Sequence, residues 1–175
     1  MMAAITGVHK DRLKGTPATL EGYKLAVQRL DQVPNTISQE APAPVSPRDL
    51  LKESWDDDFT SYVIEPDPEG RVSGVIWELT LDERERVRDW ELIDFGWYKD
   101  CEGQATDAEG RSISVITERL GDHQMVDREV DGMHYETWLN APERFEIVAE
   151  KARQEYDERL KGPEGTGSNK DIKNV

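Results

Sequence analysis

The sequence predicts an α+β fold built from several strands and a few helices. Short segments with alternating apolar residues are typical of strands, and turn sequences such as DPEG at residues 67–70 and DAEG at residues 107–110 separate them. Near the C-terminus, a long stretch carries apolar residues at helical spacing. Together these patterns indicate a sheet with helices packed against it.

The first half of the chain contains one predicted strand, one loop and one helix. Residues 18–30 alternate as a strand does, with Gly22 as a bulge. Residues 33–45 hold three prolines among polar residues and predict a surface loop. Residues 46–55 predict a short helix with a serine cap and a proline in its first turn. The acidic run at residues 56–58 is interpreted as a solvated loop, with a cation site as the alternative.

The middle of the chain predicts a hairpin, a helix and two more strands. Residues 60–64 and 72–79 flank the DPEG turn and predict a hairpin. A threonine and a glutamate three residues apart form a capping box, so residues 80–88 predict a short helix. Residues 90–98 are rich in aromatic side chains and predict a strand, and residues 112–120 predict another after the DAEG turn.

The end of the chain predicts a long helix followed by a disordered tail. Asn140 and Glu143 form a cap signal, and apolar residues then recur on one helical face as far as Leu160. Residues 163–175 have almost nothing to bury and are expected to be disordered. We therefore expect one domain over residues 1–162, with 33–58 as a loop insertion, and a tail.

Charge and composition exclude several classes of function. The chain has 22 basic and 37 acidic side chains and a net charge of −15, which repels nucleic-acid phosphates and anionic membranes. It contains no apolar run long enough to span a membrane and no signal-peptide core, so we expect a soluble, cytoplasmic protein. Cys101 is the only cysteine, and the three histidines are not at metal-binding spacing, so no metal site is expected.

One carboxylate in the middle of the chain is a candidate for chemistry. No phosphate-binding glycine loop, HExxH or GxSxG motif occurs. Glu85 shares a helical face with Leu81, and burial beside an apolar interior would raise its pKa toward the range that suits proton transfer. The alternative is an exposed glutamate that pairs with Arg88 three residues later.

Four segments resemble one known family. They are PATLEGYKL at residues 17–25, EPDPEGRVSGVIWELT at residues 65–80, LDERE at residues 81–85 and HYETWL at residues 134–139. In their order and spacing they resemble the gamma-glutamylcyclotransferase-like superfamily, which includes the plant avirulence-induced family. The resemblance spans roughly residues 13–160.

The resemblance implies a fold and an activity. The fold would be a small mixed, partly closed β-barrel with a short helix that carries Glu85 and a long C-terminal helix. Glu85 would act as general acid and base while the amino group of a gamma-glutamyl substrate attacks its own gamma-carbonyl, which releases 5-oxoproline and an amine. Tyr98 or Tyr135 would hold the substrate through its hydroxyl. The resemblance implies no cofactor and a small-molecule partner, and it leaves homo-oligomerisation open.

Two departures from the family pattern keep other functions open. Arg86 stands where the family usually has glycine, and no Tyr-Gly-Ser-Asn or Tyr-Gly-Thr-Leu loop occurs in this chain. Such a loop supplies backbone amide donors, so we expect a slow or absent reaction and an open sheet edge beside the strand at residues 18–30. The alternatives are a catalytically silent module that binds a small ligand or a protein, and an acidic protein that binds a basic partner.

Overall fold

The computed structural model describes residues 1–127 and 137–162. They form one sheet of four strands with helices packed around one end of it. The strands are β1 (Lys14–Arg29), β2 (Thr60–Glu78), β3 (Tyr98–Asp107) and β4 (Ser112–Leu120). The helices are α1 (Met2–Thr6), α2 (Pro47–Trp55), α3 (Leu81–Trp90), α4 (Thr137–Asn140) and α5 (Pro142–Lys161).

The sheet is antiparallel throughout the described residues and has the order β2-β1-β3-β4. The α+β class is confirmed. Every strand pair among the described residues is antiparallel, not a mixture of parallel and antiparallel, and the sheet is not closed, although its edge strands β2 and β4 contact each other. β2 and β4 are its two edges. On the side away from β2, β1 pairs with β3 only over residues 18–20 and with Asp127 at Val27, so among the described residues the expected open edge is present in part, at residues 21–26.

β1 and β2 form one long ladder with a bulge in its middle. Pairing runs from Lys14 opposite Glu78 to Arg29 opposite Thr60, with a register shift at Gly22. The predicted hairpin at DPEG is wrong, since residues 67–70 lie within the single strand β2. A Cβ atom on Gly70 would lie 2.3 Å from the carbonyl oxygen of Tyr23, so only glycine allows the two strands to approach there.

The turn between β3 and β4 forms as the DAEG sequence predicts. The Asp107 carboxylate accepts hydrogen bonds from the backbone N–H groups of Glu109 and Arg111, at 3.1 and 2.8 Å. These bonds and the Arg111 guanidinium lower the pKa of the Asp107 carboxyl. The side chain of Asp107 thus holds both sides of the turn together.

The predicted strand at residues 90–98 is wrong. α3 continues to Trp90, the chain then turns, and β3 begins at Tyr98. The segment is apolar because the turn itself is buried: Phe95 and Trp97 belong to the core, and the Trp97 indole donates a 2.7 Å hydrogen bond to Oε1 of the buried Gln28. The apolar composition of residues 90–98 therefore reflects burial and not strand geometry.

α5 packs against α1 and α3 and covers the core. Phe145 and Ala149 are its buried residues, on the predicted face. The predicted cap at Asn140 is wrong, since Asn140 ends α4 and Ala141 precedes the first turn of α5. The predicted tail at residues 163–175 lies outside the described residues. Among the helices that are described, none has both the length and the apolar character needed to cross a membrane.

Candidate functional site

A groove of about 540 Å³ lies between the less covered end of the sheet and α3. It is lined by residues of all four strands, by α3 from Leu81 to Val87 and by Met2 of α1. Several of its apolar side chains are exposed, including Val75 at 47% and Trp77 at 36%. Contiguous exposed apolar surface of this kind commonly marks a binding site in a soluble protein.

An ion pair between Arg84 and Glu118 is the main charged feature of the groove. Thr80 and Glu83 form the predicted capping box, which fixes the start of α3 and places Arg84 in its first turns. Nη1 of Arg84 lies 2.6 Å from Oε1 of Glu118, and each side chain is only 20% exposed. Nη1 is buried, so this ion pair is shielded from solvent.

A second carboxylate and a second arginine complete this charged cluster. Asp100 on β3 lies directly opposite Glu118 on β4, so two like charges face each other across the ladder. Arg84 contacts both carboxylates, and Arg88 contacts Asp100. The two arginines therefore connect α3 to the hairpin of β3 and β4.

Glu118 is the carboxylate in the groove with a perturbed pKa. Burial raises the pKa of the Glu118 carboxyl, and the positive charge of Arg84 opposes the rise. Glu118 also lines the groove beside apolar residues of β4. A carboxyl group in such surroundings is suited to bind a cation or to exchange a proton.

Glu85 does not lie in the groove. Its side chain is 57% exposed and contacts Arg88, with 3.5 Å between the charged atoms. The expectation that Glu85 is buried and lines a cavity is wrong, because its helical face points to solvent: Leu81 on the same face is 88% exposed. Successive residues of a helix point about 100° apart, so Arg84 contacts β4 while Glu85 does not. The catalytic role of Glu85 stays a prediction.

Tyr98 does not line the groove. Tyr98 is buried in the core, where its ring centroid lies 4.3 Å from that of Trp97. Tyr135 lies outside the described residues. Substrate binding by either tyrosine therefore stays a prediction, and the position of Tyr98 gives it a packing role.

The sequence did not single out Arg84 or Glu118. The capping box and the LDERE motif locate α3, so Arg84 could have been noticed as the neighbour of Glu85. Glu118 carried no local signal, because its burial depends on the register between β3 and β4 and on the docking of α3. Within residues 1–127 and 137–162, no cluster of three or more histidine, cysteine, aspartate or glutamate side chains is arranged to hold a metal ion.

Comparisons with known proteins give likenesses in structure only. No family model matches the chain, and no curated protein sequence matches it. A solved structure named gamma-glutamyl cyclotransferase is similar over 90% of this chain and 80% of its own, with 17% identity and a TM-score of 0.48.

Two further solved structures are similar to the chain. An uncharacterized protein from Homo sapiens matches over 90% of this chain and 80% of its own, with 18% identity and a TM-score of 0.47. A protein from Arabidopsis thaliana, solved in solution, matches over 99% of this chain and 83% of its own, with 18% identity and a TM-score of 0.37. At such identities the likeness concerns the fold, and the chemistry of the site is argued from its own residues.

Proposed function

We propose that this protein binds a small amino-acid-like molecule of the gamma-glutamyl class in the groove. The observation that carries the proposal is the half-buried ion pair of Arg84 and Glu118 at the side of an apolar groove. An α-amino acid carries a carboxylate and an ammonium group on one carbon atom. A guanidinium and a carboxylate held side by side are complementary to those two charges.

Each member of the pair has a defined task in this proposal. Nη1 of Arg84 is buried against Glu118, so Arg84 would donate to the carboxylate of the ligand by exchanging that contact for a new one. Glu118 would accept hydrogen bonds from the ligand's ammonium group. Because the ligand replaces contacts that already exist, these charges contribute more to specificity than to affinity.

The apolar walls would supply most of the affinity. The groove volume of about 540 Å³ is within the usual range for small-molecule sites, roughly 300–1,000 Å³. Val75, Trp77 and Ile116 are exposed in the free protein and would be covered by an apolar group on the amine side of the ligand. Each CH₂ group buried there contributes about 0.8 kcal/mol.

Cyclisation to 5-oxoproline is a second candidate, and the position of Glu118 favours it. A ligand bound in this way places its α-amino group against Glu118, whose raised pKa suits it to take up a proton. The amino nitrogen would attack the gamma-carbonyl carbon, the bond to the amine would break, and the proton would pass to the leaving amine. In this form Glu118, and not Glu85, would carry the proton.

Calorimetric titration with gamma-glutamyl amines of increasing apolar length tests the binding proposal. We expect affinity to rise with the length of the apolar group, and Arg84→Gln and Glu118→Gln to weaken binding about tenfold or more. Glu85→Gln is the matched control, because it makes the same change as Glu118→Gln at an exposed position of the neighbouring helix, and it should bind as the parent does. The absence of saturable binding to the parent protein would overturn the proposal.

Release of 5-oxoproline from the same ligands separates the candidates. Binding without release supports a silent binding module, and release that Glu118→Gln abolishes supports the second candidate. Release that Glu85→Gln abolishes would instead support the role that the family resemblance implies. The acidic-partner hypothesis predicts salt-sensitive capture of a basic protein, and no observation at the groove favours it.

A further inference from the structure

The first helix contributes one side chain to the groove. α1 packs against α3 and α5, and Met2 in its first turn lines the groove together with residues of β2 and α3. We propose that Met2 closes the inner end of the groove and thereby determines the size of the ligand that the groove accepts. This inference rests on the proposed function, because it concerns the same groove, but it does not depend on the charges of the ligand.

The groove has an outer end in solvent and an inner end against the core. Along α3 it runs from Leu81, which is 88% exposed, to Val87, which is 6% exposed and belongs to the core. These two residues are separated by about 9 Å along the helix axis, and Arg84 lies between them. Met2 and Leu79 line the groove and also pack against the core. Met2 therefore lies at the inner end, beyond Arg84 as seen from the outer end.

Several contacts hold α1 in place, so Met2 is a fixed part of the groove wall. Ala4 and Ile5 are buried in the core. The Arg153 guanidinium on α5 donates a hydrogen bond to the carbonyl oxygen of Ala4, and the Thr6 hydroxyl donates one to that of Met2, at 2.9 Å. The methionine side chain itself is unbranched and adaptable, so it can fill the irregular space where the strands, α1 and α3 meet.

Truncation of Met2 should lengthen the groove toward the core. Alanine lacks the side chain beyond Cβ, and neighbouring side chains close only part of the space that such a substitution leaves. The remaining space would be lined by apolar residues such as Leu79 and Val87, and apolar cavities accept apolar ligands. We therefore expect Met2→Ala to admit about two further CH₂ groups of a ligand at the inner end.

Linear alcohols from butanol to octanol test the size limit on the full chain by NMR titration. Because each buried CH₂ group strengthens binding about fourfold, Met2→Ala should bind octanol about tenfold more tightly than the parent does. Butanol, which is short enough for the parent groove, should bind both proteins equally. Met125→Ala is the matched control, because Met125 is 68% exposed and does not line the groove. Equal effects of the two substitutions, or a gain that does not depend on alcohol length, would overturn the proposal.

A measurement on the parent protein keeps the test decisive if Met2→Ala does not fold. Selective labelling of the methionine methyl groups reports on Met2 and Met125 in one spectrum. Titration with octanol should shift the Met2 methyl resonance and leave that of Met125 unchanged. Saturable octanol binding without a shift at Met2, or no saturable binding of octanol, would contradict the proposal.

Titration of the parent with gamma-glutamyl amines separates this inference from the proposed function. If these ligands do not bind but octanol shifts the Met2 resonance, the proposed function is wrong and the size limit stands. If they bind and octanol does not shift that resonance, the size limit is wrong and the proposed function stands.

Discussion

The two ends of the ladder between β1 and β2 have similar composition and opposite surroundings. At the end covered by helices, Ala26, Val27 and Val63 are buried. At the other end of the same strands, Val75 and Trp77 are exposed. Apolar residues of the same two strands are therefore part of the core at one end and part of an exposed surface at the other. The difference indicates that stability is concentrated under the helices, while the proposed binding site is at the less covered end.

Substitution of one tryptophan at each end should give the largest contrast. Trp97 is 1% exposed and hydrogen-bonded to Gln28, whereas Trp77 is 36% exposed in the groove. We expect Trp97→Ala to lower the free energy of unfolding by about 3–5 kcal/mol and Trp77→Ala by about 1 kcal/mol. Urea denaturation followed by circular dichroism measures both. Equal losses would show that the groove walls are part of the core.

Removal of Arg84 should have the next largest effect. Arg84→Met leaves Glu118 and Asp100 facing each other without that positive charge, and we expect a loss of about 2 kcal/mol. Adding Glu118→Gln should restore part of it. The control is Arg71→Met beside the bulge, where the side chain is 74% exposed and its pair with Glu21 contributes less than about 0.5 kcal/mol. Similar losses from Arg84→Met and Arg71→Met would contradict the assigned role.

The pH dependence of stability should identify Glu118. Its pKa is raised in the folded state, so the folded protein holds this proton more tightly than the unfolded chain does. The resulting stabilisation is complete below the ordinary glutamate pKa and is lost as the pH rises through the higher, folded value. We therefore expect the stability of the parent relative to Glu118→Gln to decrease as the pH rises above about 4.3.

Two other carboxyl groups check the sign of that effect. Burial raises the pKa of Asp89, so some decrease with pH should remain in the Glu118→Gln variant. Asp107 has a lowered pKa, and its contribution should instead be lost as the pH falls below the ordinary aspartate value. Denaturation midpoints measured at pH values below and above the ordinary carboxyl pKa report the titration of all three groups. A parent-to-variant difference that does not change with pH would contradict the prediction for Glu118.

The smallest effect should come from removal of residues 163–175. This segment has few apolar side chains and little surface to bury. We expect its deletion to leave Tm nearly unchanged when measured by calorimetry. A fall of many degrees would show that the tail contributes to the fold.

Local chemistry in the sequence predicted the local elements of the fold. Ser46 accepts a hydrogen bond from the backbone of Asp49 at the start of α2, and Thr80 and Glu83 form the capping box of α3. These contacts span three residues and do not depend on the rest of the protein. The wrong predictions at residues 67–70 and 90–98 have another cause. The turn sequence lies within a strand because that strand pairs with β1, and the apolar segment is a buried turn because the core surrounds it.

The sequence predicted the helix that contributes to the site, but not the side-chain contacts that form the site. The motif that resembles the family locates α3, which does contribute to the groove. Which of its side chains turns inward depends on the way α3 docks on β3 and β4, so Arg84 and not Glu85 lies against Glu118. Glu118 is 33 residues beyond Glu85 in the chain (118 − 85), and no local pattern connects the two.

The bulge at Gly22 also has a consequence for how the sheet opens. It interrupts the ladder between β1 and β2 at the boundary between the covered and uncovered ends. Backbone amides on the covered side should exchange with solvent only when the whole protein unfolds, whereas those beyond the bulge can exchange through local opening. The groove would then lie on the part of the sheet where β1 and β2 separate at a lower free energy. Each strand itself runs without interruption through both parts.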